Sequence, residues 1–405
     1  MKLAIAMVGL PARGKTFVAR RIARYLAWLG HRTATFNVGD YRRERLGAGQ
    51  PAAFFDPANV EGTAARQKVA MHALDEMIAW FEHGAGIAIY DATNSTRARR
   101  AQVSRRFKEA GIDLLFIESL CDDASIIERN VRETKISSPD YAGVDPEHAV
   151  RDFLARIAFY TRSYEPMTED EGSFVRLVDV GRQVIANRVD GYVPAKLVSF
   201  LLNLHIQHRP IWFSRHGESL YNRENRVGGD PALSPRGLDY AGRLAPFLHS
   251  WARSEDEIVV WTSTLQRTRQ TASLLGVPST PWKALDEIDV GVCDSLTYSE
   301  VEASFPDEVA ARRVDKLRYR YPRGESYEDV ISRLEPVLVE LERERRPTFV
   351  IAHQAVIRAL LAYFTDKPRE EVPHLPVPLH TVIELVPHAY GCTERRVVLG
   401  PGTDP

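Results

Sequence analysis

Only three cysteines occur in the 405 residues, Cys121, Cys293 and Cys392, an odd number set far apart. They form neither a disulfide framework nor a cysteine metal cluster, and such usage suits a reducing compartment. No run approaches the ~20 apolar residues of a membrane-spanning helix. The apolar run LAIAMVGL (3–10) lacks a small-residue cleavage site and passes straight into a glycine loop, so it reads as a buried strand and not a signal peptide. Net charge is nearly absent as well, with 53 Lys and Arg against 54 Asp and Glu. Bulk charge therefore offers no attraction for nucleic acid or an anionic membrane, and no aromatic–basic groove is evident. Repeats, low-complexity tracts and long linkers are missing too. The cytoplasm is the expected location.

What remains is a composition of 44% apolar and 26% charged residues, ordinary for globular chains, with length for two or three domains. In the first half, β-rich runs alternate with helical periodicity: KLAIAMVG (2–9), TATFNVG (33–39), GIAIYDA (86–92), LLFIESL (114–120) and VRLVDVG (175–181). This alternation predicts βαβ units and a mostly parallel sheet with helices on both faces. A helical stretch, KLVSFLLNLHI (196–206), closes that half, and HRP (208–210) punctuates the chain. The boundary is expected near His208, giving domains 1–208 and 209–405. The second half alternates too, with strands predicted at IWFS, EIVVWTS (257–263), TFVIAH (348–353) and VIELV (382–386).

GLPARGKT (9–16) fits the phosphate-loop pattern G-x-x-x-x-G-K-[ST]. Gly9 and Gly14 permit backbone N–H groups to turn around phosphate oxygens, and the following helix offers its positive end. Lys15 then reaches the β- and γ-phosphates of ATP, and the Thr16 hydroxyl ligates magnesium. Asp91 ends the apolar strand GIAIYD, where α/β sheets present ligand-binding groups. It can hold magnesium through water or take a proton from an acceptor hydroxyl; the alternative is a cap on the next helix. Arg42, Arg43, Arg66, Arg97 and Arg99 follow or flank strand ends. Solvated helix faces account for some; a phosphorylated acceptor beside an ATP site would need others as fork-shaped donors.

RHGE (215–218) follows the strand IWFS. The tripeptide alone is weak, but a second strand ends before LQRTRQTA, with Arg267, and a third ends on His353. Two histidines and two arginines thus leave strand ends together, a phosphate trap with a nucleophile. Neutral His216 would attack phosphorus, while Arg215 and Arg267 hold the phosphoryl oxygens and lower its pKa by like-charge repulsion. His353 donates to the same oxygens. Glu287, in ALDEIDVGVCDSLTY, protonates the departing alkoxide and later activates water.

These stretches, together with FNVGDYRRE, FDPAN, DATNSTR, FIESLCDD, KISSPDY, VDVGR, RVGGD, RYPRGESYED, AHQAVIRALLAYF and PLHTVIELVPHAYGC, resemble the bifunctional 6-phosphofructo-2-kinase/fructose-2,6-bisphosphatase family from about Leu3 to Cys392. The resemblance implies two three-layer α/β domains, a P-loop kinase followed by a phosphoglycerate-mutase-like histidine phosphatase. The first would phosphorylate the 2-hydroxyl of fructose 6-phosphate with MgATP; the second would remove that phosphate. By the same resemblance, Gly9, Leu10, Pro11, Ala12, Arg13, Gly14, Lys15, Thr16 and Phe17 form the ATP loop, and Asn130 to Lys135 a second nucleotide contact. Arg42, Arg66, Thr93, Arg99, Lys135, Arg156 and Tyr160 match fructose 6-phosphate contacts, and Asp91 and Cys121 match positions of the kinase centre. A strand-end cysteine is also commonly a small buried hydrophobe. In the second half, His216 matches the phosphorylated histidine and Glu287 the acid/base. Arg215, Asn222, Gly228, Arg267 and His353 match the phosphate site. Tyr298, Arg312, Lys316, Tyr327, Gln354 and Arg358 match contacts to the sugar bisphosphate. Relatives form homodimers.

Asp40 departs from the family's Glu in animal relatives, and the SWARSEDE and ERERRP loops are slightly long. The chain begins one residue before its first strand, and ERRVVLGPGTDP (394–405) holds no serine and only Thr403. Control by metabolites, not by terminal phosphorylation, is therefore expected. The competing readings are a one-sided enzyme with one vestigial site and a nucleotide-sensing regulator that binds without turnover.

Overall fold

The computed structural model describes residues 1–136, 138–179, 181–204, 209–251, 257–388 and 391–400, with backbone alone at 134 and 135. The junction expected near His208, most of the SWARSEDE loop, the Lys135 side chain and Thr403 lie outside the described residues. The chain divides into two compact units, Met1–His205 and Ile206–Pro405.

The first unit runs β1 (Lys2–Val8), α1 (Lys15–Trp28), β2 (Thr33–Asn37), α2 (Val38–Leu46), α3 (Val60–Glu82), β3 (Gly86–Asp91), α4 (Arg97–Glu109), β4 (Asp113–Leu120), α5 (Ala124–Asn130), α6 (Pro146–Arg162), β5 (Phe174–Val178), β6 (Gln183–Asn187) and α7 (Tyr192–Leu202). The sheet order is β2-β3-β1-β4-β5-β6. All neighbours are parallel except β5 and β6. Alternate residues of β1 feed two faces, as a period of two requires. Ala4, Ala6 and Val8 pack with Leu74, Met77 and Phe81 of α3 and with Val103 and Phe107 of α4. Leu3, Ile5 and Met7 are equally buried on the other face. Across α1 and α7, the Tyr25 and Phe200 rings stack at 4.3 Å.

The second unit runs β7 (Ile211–Arg215), α8 (Leu220–Glu224), α9 (Pro235–His249), β8 (Val259–Thr262), α10 (Gln266–Ser273), β9 (Ser279–Pro281), α11 (Tyr298–Ser304), α12 (Pro306–Val314), α13 (Tyr327–Arg343), β10 (Thr348–Ala352), α14 (Gln354–Phe364), β11 (Thr381–His388) and β12 (Gly391–Val398). Its order is β12-β11-β7-β10-β8-β9, with β7, β10, β8 and β9 parallel. On one face Trp212, Phe349 and Val260 meet Tyr240, Leu244 and Leu248 of α9. On the other, Phe213 lies 6.2 Å from Phe364 of α14, ring to ring. Both units are thus three-layer α/β sandwiches.

Three strands carry no clear signal in the sequence. β6, β9 and β12 are largely exposed edge strands, so nothing forces their side chains into an apolar alternation. The strand predicted over 33–39 stops at Asn37, because its side chain accepts the Asp40 N–H (3.1 Å) and caps α2. Among the described residues, no helix is long and apolar enough to cross a membrane.

One buried ion pair ties the segment before β5 to α4. Arg100, 1% exposed, donates to both Glu171 oxygens at 2.6 and 2.8 Å and to the Glu165 carbonyl at 2.8 Å. Arg100→Met leaves a carboxylate without its partner, which costs about 3–5 kcal/mol for such pairs. Urea titration followed by tryptophan fluorescence should show that loss. A loss below about 1 kcal/mol, the value of an exposed pair, would refute it.

Candidate active sites

In the first unit the order of strands reverses at β1, and the crevice of such a sheet lies beyond its strand ends. The chain leaves β1 and turns at Gly9, where φ is +133° and a Cβ would sit 2.4 Å from the Ser119 carbonyl oxygen. No other residue fits there. The Gly9 N–H donates to the Thr93 carbonyl (2.9 Å), which joins the loop to the end of β3. Ala12 and Gly14 are left-handed as well, the alternation that builds an anion nest. The Ser119 hydroxyl donates to the Arg13 carbonyl and the Asn130 amide to the Ala12 carbonyl. Two of the loop's acceptors are thereby engaged. Leu10 and Pro11 complete the loop, and buried Phe17 anchors α1. Lys15 Nζ folds back to the Leu10 carbonyl at 2.6 Å, over the nest. Thr16 is the second residue of α1, beside it.

Asp91 lies at the end of β3, next to β1, and accepts from Asn37 Nδ2 at 2.7 Å. Thr96, not Asp91, caps α4, accepting from the Arg99 N–H. Among the described residues no three His, Cys, Asp or Glu side chains could hold a metal. The Thr16 hydroxyl beside the loop and the Asp91 carboxylate at the end of β3 are oxygen donors of the kind magnesium takes, one or two from a protein with phosphate and water filling its shell. Cys121, 3% exposed, packs with Ala12, Ile127, Val131 and Phe153. Burial pushes its thiol pKa up, against the pull of the Asp123 N–H and of Arg13. In this setting it packs beneath the loop as a hydrophobe.

Four of the expected arginines converge. Burial raises the Tyr160 phenol, and Arg66, Arg42, Arg156 and Arg99 all oppose that shift from close range. The Phe55 ring lies 4.5 Å from the Arg156 guanidinium, 5.5 Å from Arg42 and 5.8 Å from Arg66. Asp140 accepts from Arg42 and lies 3.7 Å from Arg156 and 3.5 Å from Arg43. Arg97 goes elsewhere: it is exposed and pairs with Asp170. Thr93 reaches the loop through its carbonyl.

In the second unit β10 lies between β7 and β8, with Ala352 opposite Arg215 and Ile351 opposite Thr262. His216, His353 and Ser263 therefore leave the sheet side by side. The His216 and His353 rings are 5.1 Å apart, and both residues are buried. His216 Nδ1 lies 2.7 Å from the Gly217 carbonyl, which can only accept, so Nδ1 carries the proton. Nε2 keeps its lone pair and accepts from Arg267 Nε at 3.2 Å. Burial, then Arg267 and Arg215, hold its pKa well below 6.5. The imidazole is thus neutral, with its bare Nε2 turned toward Arg267.

Glu287 faces both arginines, raising their pKa against burial. Its carboxylate accepts the N–H groups of Ile288 (3.0 Å), Gln354 (3.1 Å) and Ala355 (3.2 Å), at the positive end of α14. Asn222 Oδ1 closes the capping box of α8, accepting the Ser219 N–H. Gly228, φ +70°, could carry no Cβ, since one would lie 1.9 Å from Asp294 Oδ1. Beside this trap, Arg358 Nη1 donates to the Tyr327 hydroxyl (3.0 Å). Arg312 lies over the Tyr321 ring at 5.7 Å, and Lys316 Nζ donates to the Pro373 carbonyl at 3.1 Å. Tyr298 is 62% exposed, at the rim.

Residues 1–208 match the 6-phosphofructo-2-kinase family, and residues 211–399 match the histidine phosphatase superfamily (branch 1). The chain is 49% identical to the 6-phosphofructo-2-kinase/fructose-2,6-bisphosphatase of Gallus gallus over 98% of its own length and 84% of that protein. A Homo sapiens form, number 4, is 46% identical over the same shares. The Arabidopsis thaliana protein of the same name is 51% identical, but the chain spans only 54% of its length. The chain belongs to the 6-phosphofructo-2-kinase/fructose-2,6-bisphosphatase family.

Sequence reasoning missed several residues that hold the kinase and phosphatase sites together. Asn37 orients Asp91, and Asp140 and Phe55 gather the arginines. Arg333 donates to the Asp286 and Glu287 carbonyls (2.8 and 3.2 Å) and so fixes the segment bearing the acid/base candidate. Thr271 accepts the Gly217 N–H at 3.0 Å. Asn37, Phe55, Asp140 and Thr271 do fall in stretches already singled out, FNVGDYRRE, FDPAN, KISSPDY and LQRTRQTA; Arg333 does not.

Lys316 makes the phosphatase pocket sensitive to pH. Burial, then Arg312 and Arg358, lower its pKa to about 8. The ammonium form predominates below that value and is lost above it, so an anionic ligand binds better below. The KM for fructose 2,6-bisphosphate should rise above pH 8 in the native protein and stay flatter in Lys316→Arg, whose charge persists. Parallel profiles for the two proteins would refute this.

Proposed function

We propose that the two domains act on one metabolite in opposite directions. Residues 1–208 make fructose 2,6-bisphosphate from fructose 6-phosphate and MgATP; residues 209–405 hydrolyse its 2-phosphate. One observation supports the reading above others: neither site lacks a reacting group, so neither looks vestigial.

In the kinase domain the Gly9–Thr16 loop would cradle the phosphates and Lys15 swing from the Leu10 carbonyl onto the β- and γ-oxygens. Magnesium, held by Thr16 and Asp91, would neutralise charge on the transferred group. Arg42, Arg66, Arg99 and Arg156 would grip the 6-phosphate beside Tyr160, placing the 2-hydroxyl toward Asp91, which takes its proton. In the phosphatase domain Arg215 and Arg267 would hold the 2-phosphate while His216 Nε2 displaces the sugar. Glu287 would protonate the leaving oxygen and then take the proton of the attacking water. Arg312, Lys316, Tyr327 and Arg358 would bind the rest of the sugar bisphosphate. Family likeness supports a homodimer, and the sparse, scattered cysteines suit the cytoplasm.

Because each site uses its own strand ends, the activities should be separable. Lys15→Ala should lower kinase turnover more than about hundredfold, as loss of a charge-stabilising group does, and spare the bisphosphatase; His216→Ala should do the reverse. Loss of both activities from either change in a folded protein would overturn the two-site reading.

The covalent step has its own signature. Brief mixing with bisphosphate labelled at the 2-phosphate should give acid-labile, alkali-stable phosphoprotein with label on His216. Label on a carboxylate, or none under rapid quench, would count against it.

A further inference from the structure

His353 has a supporting partner whose chemistry decides what that histidine can do. Its ring is fully buried, and its Nε2 lies 2.8 Å from the hydroxyl of Ser263, also fully buried. Among the described residues Nδ1 has no hydrogen-bond partner. Arg267, His216 and Arg215 all press on the His353 ring electrostatically, which places it against the phosphate trap. A ring N–H at Nδ1 can donate to a phosphoryl oxygen; a lone pair there would repel it.

The hydroxyl inventory allows two arrangements. Ser263 Oγ has one hydrogen and two lone pairs, and the Leu265 N–H occupies one of those pairs (3.1 Å). The remaining hydrogen and lone pair are shared between His353 Nε2 and Thr268 Oγ1, each 2.8 Å away. In one arrangement Thr268 donates to Ser263 and Ser263 donates to Nε2, which leaves the proton on Nδ1. In the other, Nε2–H donates to Ser263 and Ser263 to Thr268, which leaves Nδ1 bare. The Thr268 hydroxyl also has the Leu265 carbonyl (2.8 Å) and the Ser263 carbonyl (3.2 Å) in reach, but the former already accepts the Thr268 and Arg269 N–H groups (3.1 and 3.3 Å) and the latter is more distant than Ser263 Oγ, so Thr268 is able to turn toward Ser263 Oγ. With a phosphoryl group in the trap, the first arrangement meets its oxygens with the Nδ1–H, while the second sets the bare lone pair of Nδ1 against theirs.

We propose that Ser263, backed by Thr268, is a positioning residue that holds His353 as the Nδ1–H tautomer and so makes it a donor to the phosphoryl oxygens. This rests on the bisphosphatase reading of the second domain. Tautomer control of this kind sets the ring's role through its far nitrogen, as in metal and triad histidines.

The test uses the full chain labelled with ¹⁵N-histidine, with orthovanadate as the phosphoryl mimic, and His353 assigned by difference from His353→Ala. The ¹⁵N spectrum should show the proton on Nδ1 of His353 and none on Nε2. In Ser263→Ala that preference should be lost. Its bisphosphatase kcat should fall at least about tenfold, or about 1.4 kcal/mol, with KM within about threefold. Ser263→Thr should restore both. A proton on Nε2 in the native protein, or a Ser263→Ala variant with native tautomer and kcat, overturns the proposal. The native spectrum decides the tautomer alone, so poor folding of Ser263→Ala does not shield it. Failure of the native protein to hydrolyse fructose 2,6-bisphosphate would instead strike the functional reading and leave the spectrum to judge the tautomer.

Discussion

The register between neighbouring parallel strands is the constraint on which both sites depend. Because β10 aligns Ala352 with Arg215 and Ile351 with Thr262, the next residues of three strands emerge as one group: His216, His353 and Ser263. A slip of one residue would send each of these side chains to the opposite face. The apolar alternation of the strands fixes that register from below. Trp212, Phe349 and Ile351 must face α9, and Phe213 must face α14. The kinase site follows the same rule, with Gly9 leaving β1, Asp91 ending β3 and Ser119 on β4 pressed against the loop. The cores thus place the strand-end residues of both sites.

Both sites then face the same electrostatic difficulty, which is to keep like charges together before any anion arrives. The kinase domain answers with Asp140, which accepts from Arg42 and lies near Arg43 and Arg156, and with Phe55, whose ring faces three guanidiniums. The phosphatase domain gives its arginines a different counterweight, Glu287, whose charge acts on both Arg215 and Arg267. That carboxylate is itself held by backbone N–H groups at the start of α14. These supports are polar and local, and each keeps a cationic pocket folded while leaving donors for phosphate.

Much of this was legible in the sequence because it rests on short-range rules. A glycine loop between a strand and a helix, or an Arg-His-Gly turn after a strand, states its chemistry within a few residues. The core strands were legible from β-rich apolar runs. The edge strands β6, β9 and β12 were not, since exposure removes the pattern that reveals a strand. The supporting residues were hidden for another reason. Asn37 and Asp91 are 54 positions apart, and Ser263 and His353 are 90 apart, so only the folded register makes them partners. Arg97 is one of the arginines on a solvated helix face, and the sequence could not single it out, because a guanidinium near a strand end looks alike whether it faces a pocket or, as here, Asp170 on the surface.

The two phosphate sites differ in a way that follows from their opposite tasks. Transfer between two oxygens needs no nucleophile from the protein, so a kinase site would need only groups that position and neutralise, here the loop's N–H groups, Lys15, the arginines around Tyr160 and oxygens for magnesium. Hydrolysis through a covalent step needs a nucleophile that is unprotonated while surrounded by cations. Burial and the adjacent guanidiniums meet that need at once, since the charges that attract phosphate also depress the His216 pKa. The hydrogen bond from Nδ1 to the Gly217 carbonyl points the bare Nε2 toward the trap. Binding and activation at that site are therefore one arrangement of charge. A change that removes either arginine's charge would loosen the hold on phosphate and also remove part of what keeps the His216 pKa low, with burial still lowering it.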